Sequence, residues 1–249
     1  MNIAIIGYGK MGREIEKAAL AKGIKVKSII DSSDKNAGFK DITKDSLKDV
    51  DVCIDFSSPV SALSNLRKAS SFKKKFVMGT TGWYDNIDEA KTIVKKSGIG
   101  FVYGSNFSVG VNIFFRIVDS ASKIINSAED YDVFGYEIHH NNKADSPSGT
   151  AKTLGEILLK NIKRKNRMLF DRIDRKINPE EIHFASARAG SIPGTHVVGF
   201  DSRADTIEIK HTARNREGFA LGAVIAADWI KSKKGFYSVD DMMKNIIGA

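Results

Sequence analysis

The chain has 249 residues, enough for one large domain or two smaller ones, and its 42% hydrophobic and 28% charged residues are the balance of an ordinary globular protein. Lysine and arginine outnumber aspartate and glutamate by 39 to 30, a formal charge of +9. The basic residues are spread along the chain, densest at 160–165 (KNIKRK), without the interleaved aromatics of a nucleic-acid surface, so no nucleic-acid partner is expected.

Taken in chain order, residues 1–2 lead straight into an apolar run at 3–6, with no basic n-region and no small-residue cleavage site. No apolar run approaches the length of a membrane span, so no membrane partner is expected and the chain reads as cytoplasmic. Short β-rich runs at 3–6, 24–30, 50–56, 76–78 and 100–103 then alternate with helical patterns at 13–21, 60–70 and 86–96. Gly23 and Gly98 stand where a helix end needs a left-handed residue. The single cysteine, Cys53, lies inside the continuous apolar strand 50–56 and reads as a buried, inert thiol. Such strands suit a sheet covered on both faces, which predicts a doubly wound, Rossmann-like parallel half.

The pattern changes after residue 107. A helix is expected at 112–126, a strand at 132–138, a polar loop at 139–148 and a helix at 150–160. The charge-rich stretch 161–181 reads as an exposed loop. Alternating runs at 182–188, 195–200 and 206–211 predict an open, largely antiparallel or mixed sheet, followed by helices at 219–230 and 239–247. The expected class is therefore α/β plus α+β: a dinucleotide-binding domain of 1–107 completed by 217–249, and a substrate-binding and oligomerisation domain of 108–216.

Gly7-Tyr8-Gly9-Lys10-Met11-Gly12 is a G-x-G-x-x-G between a strand and a helix. In that setting one glycine allows the turn, the next admits a pyrophosphate, and the third packs helix on strand. The helix start offers free N–H groups and partial positive charge to the phosphates. Asp31 follows Gly12 by 19 residues at the end of the second strand, where a carboxylate can accept from ribose hydroxyls. Gly79-Thr80-Thr81-Gly82 and Gly104-Ser105-Asn106-Phe107 follow the fourth and fifth strands, the ends at which ligands bind in such sheets.

The segment 137–150 packs Glu137, His139, His140, Lys143, Asp145 and Ser148-Gly149-Thr150 into fourteen residues, although the chain has only five histidines. No carboxylate or histidine follows the pair at helical spacing, so no metal is expected. Ser148-Gly149-Thr150 opening a helix makes a second anion site. An acid, a cation and a carboxylate-binding helix start, beside a dinucleotide half, suggest hydride transfer to a small anionic substrate.

On these residues the chain resembles the 4-hydroxy-tetrahydrodipicolinate reductase family, through GYGKMG, DFSSP, GTTG, SNFSVGVN, EIHHNNKADSPSGTA, RAGSIPGTHVVGF and the tail DTIEIKHTARNREGFALGAVIAADWI. The resemblance implies that His139 donates the proton and that Lys143 assists in acid catalysis or carboxylate binding. His140, Gly149 and Thr150 would bind substrate. Gly7, Tyr8, Gly9, Lys10, Met11 and Gly12, with Asp31, Gly79, Thr80, Thr81, Gly104, Ser105, Asn106 and Phe107, would hold NADH or NADPH. His196 and His211 read as structural, and Arg216 as a residue able to reach the site. The substrate would be a small dicarboxylate of lysine biosynthesis and the assembly a homotetramer. The first glycine loop is one residue shorter than in many members, and Asn141 and Asn142 stand where more basic residues are frequent.

Overall fold

The computed structural model describes residues 1–247. The chain begins with β1 (Asn2–Ile6), α1 (Lys10–Ala21), β2 (Lys25–Ile30), β3 (Val52–Asp55), α2 (Pro59–Ser71), β4 (Lys75–Met78), α3 (Ile87–Ser97) and β5 (Gly100–Tyr103). It continues through α4 (Val109–Asn126), β6 (Asp132–His139), α5 (Gly149–Asn161), β7 (Arg167–Leu169), β8 (Glu181–Arg188), β9 (Thr195–Asp201) and β10 (Thr206–Thr212). It closes with α6 (Glu217–Ile230), β11 (Gly235–Ser238) and α7 (Val239–Ile247). Two compact units result: residues 1–109 with the segment from Arg216 onward, and Gly110–Asn215.

The first unit carries a parallel six-stranded sheet in the order β11-β5-β4-β3-β1-β2. Alternate strand residues feed two cores. Ile3, Ile5, Val52, Ile54 and Val77 pack with Ile15 and Ala19 of α1 and Ala220, Ala223 and Ala227 of α6. Ala4, Ile6, Cys53, Phe76 and Phe101 pack with Leu66 of α2 and Ala90 and Val94 of α3. Each buried Ile or Phe contributes about 1.5–3 kcal/mol, so a sheet covered on both faces follows from unbroken apolar strands. Cys53 is fully buried, and burial pushes its thiol up to about 12, which makes it inert. Helix ends obey local chemistry: Ser58 caps α2 ahead of Pro59, and Gly98 ends α3 at φ 69°. The edge strand β11 escapes a periodicity reading, since GFYS is too short to show one.

The second unit carries the mixed sheet β10-β9-β6-β8-β7, antiparallel from β6 through β10 and parallel from β6 through β7. Burial alternates along β6: Val133, Gly135, Glu137 and His139 are buried, while Phe134, Tyr136 and Ile138 are half-buried. The buried face packs on Phe114, Val118 and Ile125 of α4 and Leu154 and Leu158 of α5. The stretch 161–181, expected as an exposed loop, is an exposed loop over 174–180, but it also contains β7 and has Lys165 and Glu181 buried. Those two buried charges are paired. Lys165 faces Asp132 and donates to the carbonyls of Pro179 and Glu181, and Arg175 takes Glu181 in a two-pronged pair. At those two buried positions polarity marks pairing.

Candidate active site

The glycine loop leaves β1 at Gly7, whose φ is 87°. A Cβ on Gly7 would stand 2.3 Å from the Phe56 carbonyl oxygen, and one on Gly12 2.2 Å from the Gly7 carbonyl oxygen. These two glycines are therefore required by packing. A Cβ on Gly9 would meet nothing within 4 Å, and no side chain caps the start of α1. Open space beside uncapped helical N–H groups fits a pyrophosphate. Gly9 and Lys10 are exposed and Met11 half-buried, while Tyr8 is buried beneath the Arg13 guanidinium, 4.4 Å from its ring centroid.

Asp31 follows β2 and accepts hydrogen bonds from the N–H groups of Tyr8 (2.7 Å), Ser33 (2.8 Å) and Asp34 (2.9 Å). Burial acts to raise its carboxyl, but these backbone donors outweigh burial and hold it at about 2. One oxygen is filled by the following turn, with the Ser33 hydroxyl as a further donor. The other takes only the Tyr8 N–H and keeps acceptor capacity for a ribose hydroxyl. Asp31 thus also braces the glycine loop, a role the motif does not announce.

At the neighbouring strand ends, Thr80 is buried and donates to Asp55 at 2.6 Å, so its hydroxyl belongs to an internal network with Ser57 and Asn65. Thr81 and Ser105 are exposed, and Asn106 accepts from the Ser108 N–H at 2.9 Å. Phe107 is a core residue. A Cβ on Gly79 would fall 2.0 Å from the Phe56 ring, and one on Gly104 2.7 Å from Val239. Phe56 therefore underlies both the Gly7 and the Gly79 loops, a supporting part that only the packing reveals.

In the second unit, Glu137 is fully buried and gathers the site around itself. Its Oε1 accepts from the Ser148 N–H (3.0 Å), the Ser186 hydroxyl (2.8 Å) and Arg188 Nη2 (3.0 Å). Its Oε2 lies 3.1 Å from Nδ1 of His139 and 3.4 Å from Nε2 of His196. Burial acts to raise this carboxyl, but the contact with His196 and the hydrogen bonds from Ser148 and Ser186 hold it well below the usual range. Burial, opposed by Glu137 and reinforced by His196, Lys143 and Arg188, lowers His139 to about 4, so the ring is neutral near pH 7.

Lys143 faces Asp145 at 2.7 Å, and Arg188 Nη2 donates to the Asp145 carbonyl at 2.7 Å. His140 is half-buried. Ser148 caps α5 by accepting from the Ala151 N–H, which leaves Gly149 exposed at the first turn beside the half-buried Thr150. His196 sits edge-on to His139 at 5.1 Å, within this cluster. His211 stacks on Phe114 at 5.9 Å, and Arg216 is exposed at the start of α6.

Glu137, His139 and His196 also bring one donor atom each within 4.8 Å of one another. A search at helical spacings overlooks this group, because residues i and i+2 share a face on a strand and His196 sits opposite Glu137 on β9. Arg188 already supplies the positive partner of Glu137 that a cation would provide.

Residues 1–107 match the family described as dihydrodipicolinate reductase, N-terminus, and residues 110–243 match dihydrodipicolinate reductase, C-terminus. The chain is 39% identical over 246 residues to a 4-hydroxy-tetrahydrodipicolinate reductase of Christiangramia forsetii, spanning 99% of each chain. It is 37% identical to one of Archaeoglobus fulgidus, over 98% of this chain and 100% of the other. A solved dihydrodipicolinate reductase from Paenisporosarcina, with dipicolinate bound, shares the fold at TM-score 0.78 and 19% identity, over 97% of this chain and 99% of that one.

Proposed function

The chain belongs to the dihydrodipicolinate reductase family, and on that premise we propose that it reduces 4-hydroxy-tetrahydrodipicolinate to tetrahydrodipicolinate in lysine biosynthesis through diaminopimelate. One NAD(P)H and one proton are consumed; NAD(P)⁺ and water are released. A nicotinamide cofactor supplies the hydride when bound. The residues of the chain hold, orient and protonate. Gly7, Gly9 and Gly12 with the start of α1 take the pyrophosphate, and Asp31 takes a ribose hydroxyl. Tyr8, Lys10, Met11, Gly79, Thr80, Thr81, Gly104, Ser105, Asn106 and Phe107 form the rest of that surface, with Tyr8, Thr80 and Phe107 acting through backbone and packing because their side chains are buried.

The buried Glu137–His139 pair beside the capped start of α5 carries this reading. The start of α5 at Gly149 and Thr150, with His140 and Lys143, would hold the two carboxylates of the substrate. As the 4-hydroxyl leaves as water and hydride reaches C4, the resulting enamine is protonated at C3, and His139 is the donor. Neutral in the free protein, His139 acquires its proton when the dianion binds, because two nearby carboxylates favour the imidazolium.

Among the described residues no helix is long and apolar enough to cross a membrane, and the reaction belongs in the cytoplasm. Phe134, Tyr136 and Ile138 form a half-buried apolar strip on the sheet face turned away from α4 and α5, which supports assembly as a homotetramer through that face. The test of the activity is loss of NADH absorbance with freshly prepared substrate. Nucleotide binding without turnover would assign the chain a sensing role instead.

A further inference from the structure

The side chain of Glu137 has two oxygens with different tasks. Oε1 is saturated by Ser148, Ser186 and Arg188. Oε2 has no hydrogen-bond partner, and neither does Nδ1 of His139, although the two atoms are 3.1 Å apart and buried. A buried donor and acceptor left unmade cost free energy, so a small rotation that aligns them is favoured. His196 competes for Oε2 at 3.4 Å. Its Nε2, however, lies 3.0 Å from the Ser148 hydroxyl, whose oxygen already accepts from the Ala151 N–H. Nε2 of His196 therefore has the Ser148 hydroxyl as a second partner, whereas Oε2 is the acceptor beside Nδ1 of His139.

Resting on the proton-donor reading of His139, we propose that Glu137 is the positioning residue of the reaction. It takes the Nδ1–H of His139 through Oε2, so that Nε2 delivers the proton, and through Oε1 it fixes the Ser148 backbone from which the carboxylate-binding turn begins. One buried carboxylate thereby ties the donor to the anion site and stabilises the imidazolium that protonates C3. The charged and titratable groups facing His139 are Glu137 on its own strand, His196 from β9, Arg188 from β8 and Lys143 from the following loop. Glu137 is the one anion among them, so its loss moves the proton affinity of His139 downward.

The test is Glu137→Gln, which keeps the shape and one oxygen for the Ser148 N–H. The expected result is a fall in kcat of at least about tenfold at pH 7, with substrate KM changed less than about threefold. The pH above which kcat declines should move lower. In a His139→Ala background the same substitution should add nothing to the loss of kcat, because Glu137 acts through the ring. A lower melting temperature and raised KM with an unmoved pH profile would mark a purely structural carboxylate and overturn the proposal. Nitrogen-15 spectra of the wild-type protein give a reading that needs no variant: neutral His139 should carry its proton on Nδ1, and a proton on Nε2 would overturn the proposal. A His139→Ala enzyme with near wild-type kcat would instead sink the proton-donor reading, and the tautomer would still report whether Glu137 sets the ring.

Discussion

Gly194 and His139 compete for one space: a Cβ on the glycine would stand 2.8 Å from Nε2 of the histidine. Gly194 also has φ 150°, in the region side chains avoid. Gly194→Ala should displace the ring edge that delivers the proton. Expected are a fall in kcat of about tenfold or more and a lower melting temperature, with NADH affinity unchanged. Steady-state kinetics beside nucleotide titration check this.

His139→Ala should lower kcat by at least about 10², the lower end of what general acid catalysis supplies. Lys143→Ala should lower kcat and raise KM, since its cation would serve carboxylate binding in ground and transition states alike. His140→Ala should act mainly on KM. Nearly unchanged turnover by a folded His139→Ala protein would refute the assignment.

The pH dependence has a definite sign. His139 lies at about 4 in the free protein and near 6.5 when unfolded. Its contribution to stability is therefore complete above about 6.5 and is lost as pH falls toward 4, because the unfolded chain takes up the proton first. Melting temperature should decline over that window, and less steeply in His139→Ala. In kinetics, kcat/KM reports the free enzyme and kcat the complex, so the alkaline decline of kcat/KM should begin at lower pH than that of kcat.

Asp31 should favour a free ribose 2′-hydroxyl and repel a 2′-phosphate, and the residues after it, Ser32 and Ser33, bring no arginine clamp. NADH should serve at least as well as NADPH, with both accepted. A kcat/KM for NADPH more than about tenfold higher, roughly 1.4 kcal/mol, contradicts this. Asp31→Ala should weaken both cofactors, because the Tyr8 N–H loses its acceptor.

The half-buried strip Phe134, Tyr136 and Ile138 should be covered in a tetramer. Light scattering at micromolar concentration should give four times the 27.4 kDa chain mass, and a monomer mass would refute the assembly.

The doubly wound half was legible in the sequence because its signals are local. Apolar strands, helix caps and the G-x-G-x-x-G depend on neighbours a few residues away, and so does the start of α5 at Ser148-Gly149-Thr150. The family, too, could be recognised from contiguous motifs. Roles that depend on distant partners were not legible. Glu137 stood in the motif without a task until β6 paired with β8 and β9, which brought Ser186, Arg188 and His196 against it. The burial of Lys165 and Glu181 within the charged stretch 161–181 was not legible either, because polarity is read from composition whereas burial is decided by pairing. That Gly194 is the residue making room for the ring of His139 is a consequence of packing between segments about fifty residues apart. A local pattern can specify a strand or a turn. Only the closed sheet determines which side chains share its buried face.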